Sequence, residues 1–222
     1  AQAAGATVVP AGSGRITPSE KLIDTIHDLG VTVVQGAASY LLHVGRKARA
    51  LGTPMSDAQV RLLWLSGEAA LPEVRRELEA EWGAPTWTMY ANSDVGWVAA
   101  ECKSAALGDA GLGMHVLEDT ARLEILDPEG RSCGPEEYGE LVITSWLRPS
   151  TPRIRFRTGD RAALSDEPCA CGRTSVRLLP LAGRTDDAIR FHGTTIWPQA
   201  VEDVLTSLTG TRREYFIDLI TD

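Results

Sequence analysis

The stretch Arg157-Thr158-Gly159-Asp160 places a carboxylate directly behind a glycine, at the end of a predicted β-strand. An ionised carboxylate has two acceptor oxygens, so Asp160 could accept a hydrogen bond from each of the two hydroxyls of a ribose. The alternative interpretation is a strand that ends in a β-turn and binds nothing. The residues alone leave both interpretations open.

A second candidate stretch is Gly183-Arg184-Thr185-Asp186-Asp187, in which an arginine stands beside paired carboxylates. Such a group can be a surface ion pair, which contributes little to stability. It can equally be a hinge, where a change of backbone dihedrals turns the segment that follows. Both interpretations stay open at this point.

The third candidate is a set of metal ligands. The chain has four cysteines, namely Cys102, Cys133, Cys169 and Cys171. Residues 1–6 lack the basic start of a signal peptide, so metal binding is favoured over a disulfide framework. With His115, all but Cys133 would form the closed Cys₃His tetrahedron expected of structural zinc. The alternative is a pair of reduced cysteines in a turn, with an unrelated cysteine and histidine.

These residues need elements to position them, and roughly the first ninety residues alternate strand and helix patterns. Strands are predicted at residues 7–9, 31–34, 61–65 and 86–90, and helices at 39–51 and 71–82. Repeated strand–helix–strand units predict a parallel sheet, whose ligands bind beyond the carboxyl ends of the strands. Ser66-Gly67-Glu68 and residues 90–94 follow two such ends.

A further helix is predicted after Thr17-Pro18-Ser19-Glu20. Thr17 suits the N-cap, Pro18 the first helical position, and Glu20 closes a capping box. Gly30 and Gly83 are typical of the residue that follows a helix.

From about residue 113 the pattern changes to strands without helices, which predicts a small antiparallel sheet or barrel. Strands are expected at 121–126 and 139–144, and later a strand at 188–191 is followed by a helix from residue 197. That helix should turn Val201, Val204, Leu205 and Leu208 inward. We therefore expect an α/β part at 1–112, an antiparallel part with the zinc site at 113–183, and a further module from 184.

The composition excludes some functions. The chain has 222 residues, 43% of them hydrophobic, and a formal net charge of −8, so nucleic acid is not expected as a partner. No apolar run has the length of a membrane span, and a cytoplasmic location is expected.

Three motifs in this order resemble the core motifs of the adenylate-forming superfamily: R-T-G-D at Asp160, G-R-x-D-D at Arg184, and H-G-T-T-I-W-P at residues 192–198. The C-x-C-G-R-T stretch at Cys169, and Glu101-Cys102 with residues 113–119, are similar to phenylacetate-CoA ligases. The resemblance spans nearly the whole chain. It implies a large α/β domain with a small antiparallel part, followed by a mobile α+β module.

The resemblance also implies roles for single residues. It assigns the adenine loop to Gly67, Glu68 and Ala69, the aromatic on adenine to Tyr90, the ribose contact to Asp160 and a nucleotide contact to Arg184. It assigns catalytic roles to Ser93 as a hydroxyl donor and to Asp94 as the carboxylate that helps to hold Mg²⁺. Asp186 matches the hinge, and Gly193 lies on the loop used in thioester formation. Tyr40 and Trp97 are candidates for the acyl pocket.

The chain departs from the family pattern in two respects. The family's Y-G-x-T-E is here Tyr90-Ala91-Asn92-Ser93-Asp94, whose shorter carboxylate could require a water between it and Mg²⁺. The chain also has neither the Ser/Thr/Gly-rich loop that ends in lysine nor the family's C-terminal lysine. Because both ends stand in apolar sequence, we expect a cut piece. Because the missing parts are those that hold the phosphates, we expect this piece to lack useful turnover alone.

The implied reaction has two steps. A carboxylate, expected to be aromatic, attacks the α-phosphate of Mg·ATP to give acyl-AMP and pyrophosphate, and the thiol of coenzyme A then displaces AMP. Two alternatives stay open: a ligase that loads a carrier protein, and a non-catalytic, zinc-stabilised module that binds a nucleotide or a partner. A homodimer is also an open alternative.

Overall fold

The structure is a computed structural model that describes residues 5–12, 16–102, 104, 113–147, 150–187, 189–191, 194–207 and 217. The chain divides into two compact units, residues 1–87 and 88–222. None of the helices in the described ranges has both the length and the apolar character needed to cross a membrane.

The first unit alternates helices and strands: α1 (Ser19–Asp28), β1 (Val33–Gly36), α2 (Ala38–Ala50), a 3-10 turn (Met55–Asp57), β2 (Leu62–Leu65) and α3 (Pro72–Trp82). Strands β1 and β2 are parallel, with Val33 opposite Leu62. Trp82 is 1% exposed, and its indole N–H donates to the Leu41 carbonyl at 3.1 Å. This core fixes the ends of the strands, from which the predicted adenine loop follows.

The second unit contains β3 (Thr86–Asn92), which starts at the boundary, then β4 (Gly96–Ala100), β5 (Met114–Val116), β6 (Ala121–Leu126), β7 (Gly139–Ser145), β8 (Arg153–Ala162), β9 (Leu164–Ser165), β10 (Arg177–Leu178), β11 (Ile189–Phe191), β12 (Thr194–Ile196) and α4 (Pro198–Ser207). One antiparallel set runs in the order β3-β4-β5-β10-β9, and a separate antiparallel sheet in the order β6-β7-β8. Strands β11 and β12 form a hairpin.

The predicted α/β class, with a parallel pair and a small antiparallel sheet, is confirmed. The predicted helix ends are also confirmed, since Gly30 and Gly83 both have positive φ. Strand β4 was not predicted. The predicted domain boundaries at residues 112 and 183 stay predictions.

Three local predictions are wrong. Residues 7–9 form no strand, and Val8 and Val9 are each 48% exposed. Thr17 does not cap α1, because its hydroxyl donates to the Ala11 carbonyl at 2.6 Å. Val204 is 60% exposed rather than turned inward. Leu208 lies outside the described residues.

Candidate functional site

Asp160 lies inside strand β8, at a bulge, and not after the end of a strand as predicted. Arg157 pairs with Val142 and Arg161 with Glu140, so residues 158–160 stand opposite the single residue 141. Gly159 has φ +77°, a left-handed conformation that favours glycine. Bulges commonly redirect a side chain, and this one positions the carboxylate of Asp160.

The Asp160 carboxylate has a partner on each oxygen. The hydroxyl of Tyr90 donates to Oδ2 at 2.5 Å, and Nη1 of Arg184 donates to Oδ1 at 3.0 Å. Asp160 is 9% exposed, so this buried charge is both hydrogen-bonded and ion-paired. Burial first, and then the hydrogen bond to Asp160, raise the pKa of Tyr90 well above its usual range, which keeps its hydroxyl a donor.

Arg184 also binds the predicted hinge residue. Its Nε and Nη2 donate to Oδ1 and Oδ2 of Asp186 at 2.9 and 2.7 Å. The hydrogen bond from Arg184 lowers the pKa of the Asp186 carboxyl below its ordinary value. Arg184 forms an isolated backbone bridge with Asp160 as well. The structure therefore joins the predicted ribose ligand and the predicted hinge through one guanidinium.

Asp94 and Ser93 lie in the turn between β3 and β4. The backbone N–H of Asp94 donates to Oδ1 of Asn92 at 2.8 Å, and Ser93 is exposed. Nη2 of Arg153 donates to Oδ1 of Asp94 at 2.6 Å, a contact with no signal in the sequence. No group of three or more metal-ligand side chains in the described part of the chain includes Asp94. Asp94 is thus paired with Arg153 in this structure, and its role in holding Mg²⁺ stays a prediction.

The predicted adenine loop belongs to the first unit, where Gly67, Glu68 and Ala69 follow β2 and are exposed. The carboxylate of Glu68 accepts hydrogen bonds from the backbone N–H and the hydroxyl of Ser39, the latter at 3.0 Å. Acidic groups are favourable at the N-terminus of a helix, and here the carboxylate of Glu68 accepts hydrogen bonds from the first turn of α2. Sequence reasoning missed this capping contact.

The remaining predicted positions are separate. Tyr40 is partly buried in the first unit and stacks on His43, with ring centroids 6.2 Å apart. Trp97, in β4 of the second unit, is 43% exposed. Their role in an acyl pocket stays a prediction. Gly193 lies outside the described residues.

The four predicted metal ligands do converge. The ligand atoms of Cys102, His115, Cys169 and Cys171 all lie within 4.8 Å of one another. The sulfurs of Cys102 and Cys169 are 3.7 Å apart, and Sγ of Cys171 is 3.3 Å from Nε2 of His115. A tetrahedron with metal–sulfur bonds of about 2.3 Å has a sulfur–sulfur edge of about 3.8 Å, so the spacing fits zinc.

The surroundings of His115 suit a metal ligand. Its Nδ1 is 3.0 Å from Oγ of Ser175, which leaves Nε2 directed at the cysteines. Burial first, and then the charge of Arg173, lower the pKa of His115 and favour the neutral imidazole that binds metals. Ser175 was not predicted. Cys133, the remaining cysteine, is not part of the cluster.

The family model described as AMP-binding enzyme matches residues 1–146. The chain belongs to the AMP-binding enzyme family. The phenylacetate-coenzyme A ligase of Thermus thermophilus is 30% identical over 98% of this chain and 48% of its own length. That of Escherichia coli is 27% identical over 99% of this chain and 48% of its own length. The chain thus spans about half the length of the curated relatives it matches.

A solved structure supports the same relationship. An open conformation of 2-hydroxyisobutyryl-CoA ligase, in complex with 2-HIB-AMP and CoA, matches with a TM-score of 0.78 and 26% identity. The match covers 95% of this chain and 49% of that chain. The similarity to acyl-CoA ligases therefore holds for both sequence and fold.

Proposed function

We propose that this chain holds the adenosine part of the nucleotide in an AMP-forming ligase, which activates a small carboxylic acid and transfers it to coenzyme A. The carboxylate of Asp160, in the cluster with Tyr90 and Arg184, carries the proposal. Each carboxylate oxygen can accept a further hydrogen bond, so the two hydroxyls of a ribose can bind beside these two donors. The similarity to phenylacetate-CoA ligases supports an aromatic acid as substrate.

The other predicted roles belong to the same proposal. Gly67, Glu68 and Ala69 would contact adenine, and Asp186 would act as the hinge for the module that contains Gly193. ATP would arrive with its own Mg²⁺, since Asp94 is already paired with Arg153.

We also propose that the Cys/His cluster holds a structural zinc ion. Its four ligands close the tetrahedron and leave no open position, which is the arrangement of structural rather than catalytic zinc. The ion would tie the segments that carry Cys102, His115 and the Cys169–Cys171 turn to one another.

Calorimetric titration with AMP tests the nucleotide site. Asp160→Ala should weaken AMP binding by about 1.5–3 kcal/mol, the usual size of hydrogen bonds to a charged group. The matched control is Asp119→Ala, an exposed carboxylate in the same unit with no salt bridge among the described residues. Equal AMP affinity in both variants would contradict the ribose role of Asp160.

The ion pair between Asp94 and Arg153 favours a second candidate, a nucleotide-binding module without catalysis. A sulfamoyl analogue of phenylacetyl-AMP distinguishes the two candidates. A ligase has an acyl pocket, so it should bind this mimic of its intermediate at least about tenfold more tightly than AMP. Equal affinity for the two compounds would support the non-catalytic module.

A further inference from the structure

The turn that contains Asp94 is held in place on both sides. Asn92 accepts the hydrogen bond from the Asp94 backbone N–H, and the Ser145 hydroxyl donates to the carbonyl of Val95 at 3.0 Å. Because Ser145 is buried in β7, the turn is fastened to the antiparallel sheet. The carboxylate of Asp94 is thus presented in a defined position.

Arg153 is also held in position by contacts other than the one with this carboxylate. It begins strand β8, and its guanidinium carbon lies 5.8 Å from the ring centroid of Phe156, within range of a cation–π contact. Nη2 then lies 2.6 Å from Oδ1 of Asp94. The side chains are 40% and 42% exposed, respectively. Ordinary surface ion pairs are weakened because two flexible side chains must be ordered. Here the contact with Phe156 and the fixed turn already restrict both side chains.

A divalent cation would have to displace this guanidinium or share the carboxylate with it. Mg²⁺ gives up its water reluctantly and is held in proteins by carboxylates together with substrate phosphates. In the described part of the chain, Asp94 belongs to no cluster of metal-ligand side chains. For a free divalent cation, a single carboxylate that already has a cationic partner is therefore a poor ligand.

We infer that Arg153 is the resident counter-ion of Asp94 and excludes divalent cations from this carboxylate. The positive charge beside the predicted catalytic turn then comes from the chain itself. The pair consists of protein side chains only and can be probed without nucleotide, so failure of the proposed nucleotide site would leave it unaffected.

The test uses Mn²⁺ and amide NMR spectra of the 222-residue chain. Bound Mn²⁺ increases the relaxation rate of nearby amide protons, even when binding is weak. In the unmodified chain, Mn²⁺ should affect the amide of Asp94 less than that of Asp24, an exposed carboxylate with no salt bridge among the described residues. Arg153→Met should increase the effect at Asp94 by about threefold or more.

Two controls separate loss of the counter-ion from a disturbed fold. Arg153→Lys keeps the charge and should behave like the unmodified chain. Arg155→Met removes the next arginine of β8, which pairs with Glu124, and should leave the amide of Asp94 unaffected. Equal relaxation at Asp94 and Asp24 in the unmodified chain would overturn the inference. So would an Arg153→Met variant with unchanged relaxation at Asp94.

Discussion

Asp160 is a charged residue, yet it is buried, with only 9% of its surface exposed. A buried carboxylate is costly unless its oxygens are satisfied, and Tyr90 and Arg184 each satisfy one of them. The carboxylate is therefore satisfied without ligand, and each of its oxygens can accept a further hydrogen bond from a ribose hydroxyl.

Tyr90 should stay protonated at a pH where ordinary tyrosines ionise. Its pKa is raised first by burial and then by the hydrogen bond to Asp160, both of which disfavour the tyrosinate. In an absorbance titration at the tyrosinate band, Tyr90→Phe should match the unmodified chain up to about pH 11. The chain has four tyrosines. If the absorbance change of Tyr90→Phe is smaller by the share of one tyrosine, this expectation is contradicted.

The same shift affects stability. Above about pH 10 the unfolded chain ionises Tyr90 and the folded chain does not. The contribution of Tyr90 to the free energy of unfolding is therefore fully present below about pH 10 and is lost as the pH rises further. Urea unfolding between about pH 9 and about pH 11 should show that the free energy of unfolding falls more steeply with pH in the unmodified chain than in Tyr90→Phe.

At the scale of single elements, the bulge in β8 leads to a testable prediction for Gly159. A Cβ there would lie 2.8 Å from Nη2 of Arg184, whose flexible end can move away. Gly130 has a similar φ of +80° but nothing within 4 Å of an added Cβ, so Gly130→Ala isolates the backbone strain. Both variants should lose about 1–2 kcal/mol of unfolding free energy.

Only Gly159→Ala should weaken AMP binding in calorimetry, because only there does the added methyl displace the arginine of the cluster. If both alanine variants bind AMP equally well, the position of Arg184 does not matter for the nucleotide.

The Cys/His cluster joins several elements at once, since its side chains come from the segment after β4, from the middle of β5 and from the turn before β10. Metal-binding energy is folding energy when the site is absent from the unfolded chain. Cys169→Ser and chelator treatment should therefore both lower the melting temperature, and metal analysis should find one zinc per chain. Cys133→Ser, outside the cluster, should retain the zinc. A metal-free chain with an unchanged melting temperature would refute the site.

At the scale of the whole molecule, we expect the 222-residue chain by itself to form no acyl-CoA from ATP, coenzyme A and aryl acids. Its sequence has no Ser/Thr/Gly-rich loop that ends in lysine, the part that neutralises the leaving pyrophosphate in the family it resembles. Loss of one such preorganised contact typically costs about 10²–10³ in rate. Steady AMP production that is abolished by Asp160→Ala would contradict this prediction.

Much of the fold could be predicted from the sequence because local patterns determine it. Helix α3 follows from the spacing of its apolar residues, and it stops where Gly83 takes a left-handed conformation. Thr17 shows the limit of such reasoning. Its capping motif is intact, yet its hydroxyl binds the Ala11 carbonyl, because tertiary contacts override a weak local preference.

The sequence by itself determined the order of the adenylate-forming motifs and the set of four candidate metal ligands, because both depend on residue type along the chain. Only the tertiary structure decided that Tyr90 and Arg184 share the carboxylate of Asp160, and that Arg153 pairs with Asp94. These pairs join residues far apart in the chain. Their distances depend on strand register and on the β8 bulge, which no local spacing encodes.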